Sequence, residues 1–197
     1  MTRGVGGSTA EHELSLLRSS RDQANPIALE EYQQRMSKAR SLMKAAGIDA
    51  LYLDATTSLY YFTGLRCYAS ERLHGAIISA SGELVYICPV FEEEKIKASI
   101  LIEGDFVLWQ EHQDPTLAVA DCAIKVSKKS NCRLAIDSQT PFFTANRLQN
   151  ANQNLTIENG EALIAECGRI KTKAEIALLS QAKAITLHIH QVVARIL

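Results

Sequence analysis

The sequence predicts an α/β domain with a mixed central sheet flanked by helices, and three observations carry that expectation. From Leu29 the apolar positions fall at Leu29, Tyr32, Met36, Ala39, Met43 and Ala46, steps of three and four that trace one face of a helix. Two apolar, strand-like runs, HGAIIS and LVYICP, are joined by ASGE, the signature of a hairpin. Beyond them, helical and strand-like segments alternate, as parallel strands joined by crossover helices require. The sheet is therefore expected to be antiparallel in its first half and at least partly parallel later.

The elements follow in order. Residues 1–26 are rich in Gly, Ser and charge and read as a mobile N-terminal tail, with one short helical turn near Glu13–Arg18. Asn25-Pro26 punctuates the chain, the helix from Leu29 follows, and Gly47 closes it. DALYLD, from Asp49 to Asp54, reads as a buried strand, with Asp49 and Asp54 as cap or turn residues. LYYFTG, ending at Gly64, reads as a second strand, and the hairpin supplies two more. FEEEKIKAS is expected as a short helix whose three glutamates suit the positive end of the helix dipole, and DFVLWQ as a fifth strand.

Asp114-Pro115 opens a helix to about Lys129, with Asp as N-cap and Pro at the first helical position. RLAID is a sixth strand, Thr140-Pro141 repeats the cap-and-Pro device, and LTIE is a seventh strand. Thr172 to Glu175, TKAE, is a capping box. The helix behind it carries an apolar face at Leu178, Ala182, Ile185, Ile189, Val192 and Ile196, and no Gly or Pro stops it before Leu197. That face is expected to need a partner or a continuation.

The bulk properties exclude several classes. With 21 basic and 22 acidic residues the net charge is -1, which gives no electrostatic footprint for nucleic acid or an anionic membrane surface. No apolar run approaches the roughly 18 residues that a membrane span needs, and the N-terminus lacks the apolar core of a signal peptide. The five cysteines form no CxxC pair, so reduced, mostly buried thiols in a cytoplasmic protein are expected. No GxSxG, Walker A, HExxH or GxGxxG run occurs. His188 and His190, two apart on a helix, point about 200° apart and cannot share a metal. Residue chemistry alone gives an α/β domain with one unusual polar loop and no self-sufficient active site.

Two segments carry a family resemblance. IALEEYQQRMSKARSLMKAAGIDALYLDATTSLYYFTG resembles the opening of the creatinase, prolidase and aminopeptidase P family, where a helix with an Arg and a closing Gly leads into a DALLL-type strand and then an NxxYLTG-type segment. ECGRIKTKAEIALLSQAKAIT is similar to that family's linker, with Arg169, Lys171, Thr172 and Glu175 in place. The resemblance covers about residues 27–197. It implies a ribonuclease-H-like domain over 27–168, followed by a linker and first helix, 169–197, of a C-terminal pita-bread domain. Peptidase members hold two divalent metal ions in that second domain (manganese, cobalt or zinc) on two Asp, one His and two Glu, and cleave Xaa-Pro bonds; creatinase uses the same fold without metal. All such ligands are expected beyond Leu197, so no catalytic residue is carried over.

The loop LRCYASERLH has two readings, a solvated turn or a polar segment aimed at a ligand. The resemblance implies that the domain aids formation of a homodimer, and that its loops reach toward an active site, often that of the neighbouring subunit. Arg66 or Arg72 is then a candidate to pair a carboxylate of a proline-containing peptide. Tyr68 or His74 is a candidate to cover its ring or amine. Arg72 is the first choice, and the expectation is that these side chains are accessible and free of internal ion pairs. The competing reading makes Glu71 and Arg72 an exposed pair worth under about 1 kcal/mol. Two other functions stay open: a stand-alone domain that binds a partner through its last helix, and a creatinase-like fragment or binding homologue without metal.

Overall fold

A computed structural model describes residues 5–197. The chain folds as two compact units, one formed by Ala28–Ile170 and the other by the residues up to Ile27 together with Lys171–Leu197.

The larger unit is a six-stranded mixed sheet with helices on both faces. It begins with helix α2, Leu29–Ala46, whose buried residues Tyr32, Arg35, Met36, Ala39 and Met43 follow the expected stripe. Gly47 ends it in the left-handed conformation, φ 68°, which an L side chain resists. Strand β1, Ala50–Asp54, lies at the centre. The hairpin of β2, Gly75–Ser79, and β3, Leu84–Pro89, pairs antiparallel beside it. A 3-10 turn at Val90–Glu92 and helix α4, Glu93–Lys97, lead to edge strand β4, Asp105–Trp109, parallel to β3. Helix α5, Pro115–Ser127, crosses to β5, Cys132–Ile136, and helix α6, Phe142–Ala151, crosses to β6, Leu155–Asn159. The order is β4-β3-β2-β1-β5-β6, with β1–β5 and β5–β6 parallel. The mixed sheet, antiparallel first and parallel later, is as the sequence predicts.

Alternation along each central strand divides the core into two layers. Leu51, Leu53, Ala76, Ile78, Leu84 and Tyr86 face one layer, with Met36, Met43 and Phe62. Ala50, Tyr52, Ile77, Val85 and Ile87 face the other, with Val119, Ala123 and Leu148. Covering both faces explains why these strands read as unbroken apolar runs. Asp114 caps α5 by accepting from Thr116 N at 2.9 Å, with Pro115 first in the helix, as expected.

Three local expectations fail for physical reasons. The segment read as a second strand is helix α3, Thr57–Thr63. Its aromatic content favours strands, but its buried residues, Ser58, Leu59, Phe62 and Thr63, recur with helical spacing. Thr56 caps it through Ser58 N at 3.2 Å, and Gly64 stops it at φ 73°. Thr140 is not the cap of α6; that position is Pro141, and the Thr140 hydroxyl is buried without a partner. Helix α7, Glu161–Gly168, stands where no element was expected.

The smaller unit contains helix α1, Ala10–Leu16, a 3-10 turn at Arg21–Gln23, and helix α8, Lys173–Ile196. Residues 1–4 of the expected mobile tail lie outside the described residues. Thr172 and Glu175 form the capping box read from the sequence, and α8 continues unbroken to Ile196. Within this unit Arg195 Nε donates to Glu13 Oε2 at 2.8 Å, and Gln181 Nε2 donates to Ser20 O at 2.9 Å. Ile176, Leu179, Ile185, Leu187, Ile189 and Val193 stay exposed on α8. No helix among the described residues is long and apolar enough to cross a membrane.

The cysteines are free; Cys88, Cys122, Cys132 and Cys167 are buried and Cys67 is half-buried. Burial pushes the first four thiols up to about 11, against an ordinary value of 9.0. Between those values the unfolded chain loses thiol protons that the folded chain keeps, so alkali favours unfolding. The thiol contribution is fully present below about pH 9 and is lost as pH rises toward about 11. Urea unfolding under reducing conditions should show stability falling across that window; a constant or rising stability there contradicts this assignment.

Candidate functional site

The polar loop after Gly64 runs from Leu65 to His74 and separates two hollows of the larger unit. Leu65 anchors its start in the core, and His74 anchors its end immediately before β2. The first hollow, about 280 Å³, is walled by Arg66, Cys67, Tyr68 and His74 from the loop and by Glu92 and Lys95 from the segment around α4. The second, about 110 Å³, lies on the loop's other side, at the carboxyl end of β1 and the amino ends of α5 and α6.

The four side chains singled out from the sequence fall into two kinds. Arg66 is exposed, its guanidinium 4.7 Å from the Tyr60 ring centre, and it makes no ion pair among the described residues. The Tyr60 and Tyr68 hydroxyls beside it hold its proton more tightly than usual. Tyr68 is 76% exposed. Both are exposed and line the first hollow.

Arg72 and His74 are of the second kind. Arg72 donates to Glu111 Oε1 through Nε at 3.1 Å and Nη2 at 2.9 Å, and to Glu71 Oε1 through Nη1 at 2.6 Å. It also lies over the Phe91 ring at 5.2 Å. Its internal ion pairs correct the expectation that it stands free: Glu111, 39 residues away in sequence, is brought to it by the end of β4. His74 is buried, with Nδ1 3.1 Å from Arg72 O. Its Nε2 lies 3.2 Å from Glu92 Oε2, at ion-pair distance but outside hydrogen-bond geometry. Both residues hold the loop's shape. Cys67 is not an activated nucleophile, because burial and the charge of Glu92 push its thiol up to about 11.

Sequence reading missed the floor of the second hollow. Asp54, read as a turn residue, lines it. Behind it the wholly buried Asp137 accepts from Thr56 Oγ1 at 2.5 Å and from Gln139 N at 3.0 Å. Burial and the charge of Asp137 raise the Asp54 pKa, against the opposing pull of Ala55 N–H and His74. Nothing in the local spacing links residues 54, 56 and 137; only the parallel pairing of β1 with β5 joins them.

With the geometry in place, comparison with known proteins decides the family. Residues 35–170 match the sequence profile of the Creatinase/Prolidase N-terminal domain. The chain belongs to this family. An uncharacterised peptidase of Staphylococcus haemolyticus is 25% identical over 151 residues, which is 75% of this chain and 40% of that protein. Among solved structures, dipeptidase PepE from Mycobacterium ulcerans superposes with a TM-score of 0.72 at 21% identity, covering 85% of this chain and 44% of its own. A prolidase from Thermococcus sibiricus superposes with a TM-score of 0.65 at 24% identity, covering 77% and 40%. At those identities the likeness speaks for the fold. The creatinase/prolidase N-terminal domain thus spans less than half the length of the relatives it matches here. Among its described residues no three His, Cys, Asp or Glu side chains gather as a metal site, so the residues do not fit the two-metal centre that the family resemblance implies.

Proposed function

We propose that this chain is the non-catalytic, amino-terminal part of an Xaa-Pro dipeptidase- or aminopeptidase-like metallohydrolase. The observation that carries this is the family match over residues 35–170, together with alignments that span about two fifths of the length of the peptidases it resembles. In the proposed parent, metal chemistry is supplied outside these residues, and this domain contributes to a homodimer and to substrate access. The exposed apolar residues of α8 support a need for further protein surface. A cytoplasmic setting agrees with the free thiols.

Within that reading the loop from Leu65 to His74 is the substrate-facing segment. Arg66 and Tyr68 are its outward groups, an exposed guanidinium without an ion pair among the described residues and an aromatic ring in one hollow. Arg72 and His74 serve it by position: Arg72 is paired with Glu71 and Glu111, and His74 faces Glu92.

Two variants of the parent peptidase test the assignment. Arg66→Ala should lower kcat/KM on Xaa-Pro peptides about 10- to 150-fold, the worth of one charge-assisted contact of 1.5–3 kcal/mol, and leave the melting temperature unchanged. Arg72→Ala removes an exposed ion-pair set worth under about 1 kcal/mol and should have the smaller kinetic effect. A wild-type kcat/KM in Arg66→Ala would retire Arg66 as a substrate group. A larger loss in Arg72→Ala would return that role to Arg72.

A further inference from the structure

The second hollow combines features that the peptidase reading does not use. Asp54 and Asp137 stand together at the carboxyl ends of β1 and β5, and neither forms an ion pair among the described residues. Buried carboxylates are ordinarily paired with a cation or fully hydrogen-bonded. The buried Asp137 accepts from Thr56 Oγ1 and Gln139 N, whereas the half-buried Asp54 accepts, among the described residues, only from its neighbour Ala55 N, at 2.7 Å.

A second polar group at this end of β1 lacks a partner, although it does not itself line the hollow. Tyr52 is wholly buried, and its hydroxyl has no hydrogen-bond partner. It shares a face of β1 with Asp54, two residues on. Its oxygen lies 3.0 Å from where a Cβ on Gly75 would stand, and Gly75 is opposite Asp54 in the β1–β2 register. The phenol therefore leans along the strand toward the carboxylate end, into space that only a glycine leaves open.

The walls decide the kind of ligand. Arg147, exposed on α6, lines the same hollow and makes no ion pair among the described residues, whereas Arg72 and Glu71, which also line it, are paired with each other. Pro115, Pro141 and Phe143 give it an apolar side. A bare metal cation matches the floor but is repelled by Arg147, and an anion matches Arg147 but is repelled by the floor. A molecule carrying both charges matches both.

We propose that this hollow binds a small zwitterion of the amino-acid class, its ammonium group on Asp54, its carboxylate on Arg147 and its side chain against Phe143. The proposal does not depend on the peptidase reading, and either can fail alone.

The test is titration of the full chain with glycine, L-alanine, L-proline and L-leucine, followed by amide NMR and calorimetry. The N-acetyl and carboxamide forms of each, lacking one charge, serve as controls. At least one free amino acid should bind and shift the amide signals of Ala55, Thr116 and Thr144. Its two single-charge derivatives should bind about 10- to 150-fold more weakly, as should Asp54→Asn and Arg147→Gln, each removing one charge-assisted contact. Arg147 is exposed, so Arg147→Gln reports on binding even if Asp54→Asn unfolds the domain. The proposal is overturned if no amino acid binds at millimolar concentration, if the derivatives bind equally well, or if Arg147→Gln binds as the native chain does. It is also overturned if magnesium or manganese chloride alone shifts the same amides while the amino acids do not.

Discussion

Phe62→Ala should destabilise the larger unit by about 3–5 kcal/mol, the usual range for removing a buried aromatic ring. The ring has no exposed surface and meets Tyr61 edge-on at a centroid distance of 4.9 Å. For a domain of this size the melting temperature should fall on the order of 10 °C. The comparison with Tyr60 and Leu59 makes the result specific. In helix α3, Leu59 and Phe62 share the buried face while Tyr60 is exposed. In a strand, Tyr60 and Phe62 would instead share a face. Leu59→Ala should therefore be costly and Tyr60→Ala nearly neutral; comparable losses in Tyr60→Ala and Phe62→Ala, with Leu59→Ala silent, would contradict the helix.

Arg35→Ala should cost about 3 kcal/mol or more, because it strands a partner inside the fold. Arg35 is nearly buried on α2, donates to Tyr61 O at 2.8 Å and pairs with Glu31 at 2.6 Å. Its guanidinium also lies 4.3 Å from the Tyr61 ring centre and 5.0 Å from that of Tyr32. The contacts join α2 to α3, so the loss should appear as a lower urea midpoint for the whole unit. Arg35→Lys should not restore it, since an ammonium cannot make the planar contacts. Arg35→Met, which keeps the apolar stem, should recover more than Arg35→Ala does. A midpoint unchanged in Arg35→Ala would mean that the cluster contributes nothing.

What was legible in the sequence was whatever the chain specifies locally. The stripe of α2 with Gly47, the β2–β3 hairpin, Asp114-Pro115 and the capping box at Thr172 each combine period with a matching stop or cap, and each stands where expected. Helix α3 was lost because Tyr60, Tyr61 and Phe62 have strand propensity, while the signal that overrode it, a Thr56 cap and a Gly64 stop, spans only two turns. Helix α7 is short, has no side-chain cap and carries only Leu163 and Cys167 as buried residues. The candidate site was half visible. Arg66 and Tyr68 could be picked out as polar residues after a buried segment. That Glu111 holds Arg72, that Asp54 and Arg147 line one hollow, and that Asp137 lies beside Asp54 are facts of topology set by β1–β5 pairing and by α5 and α6 beside it.

The purified chain, offered Xaa-Pro dipeptides with added manganese, cobalt or zinc, measures the central claim most directly. A folded chain with no turnover above the metal-only background is the predicted result, because the catalytic groups are assigned outside these residues. Clear turnover that disappears on chelation and returns with metal would contradict it and place an active site within this domain.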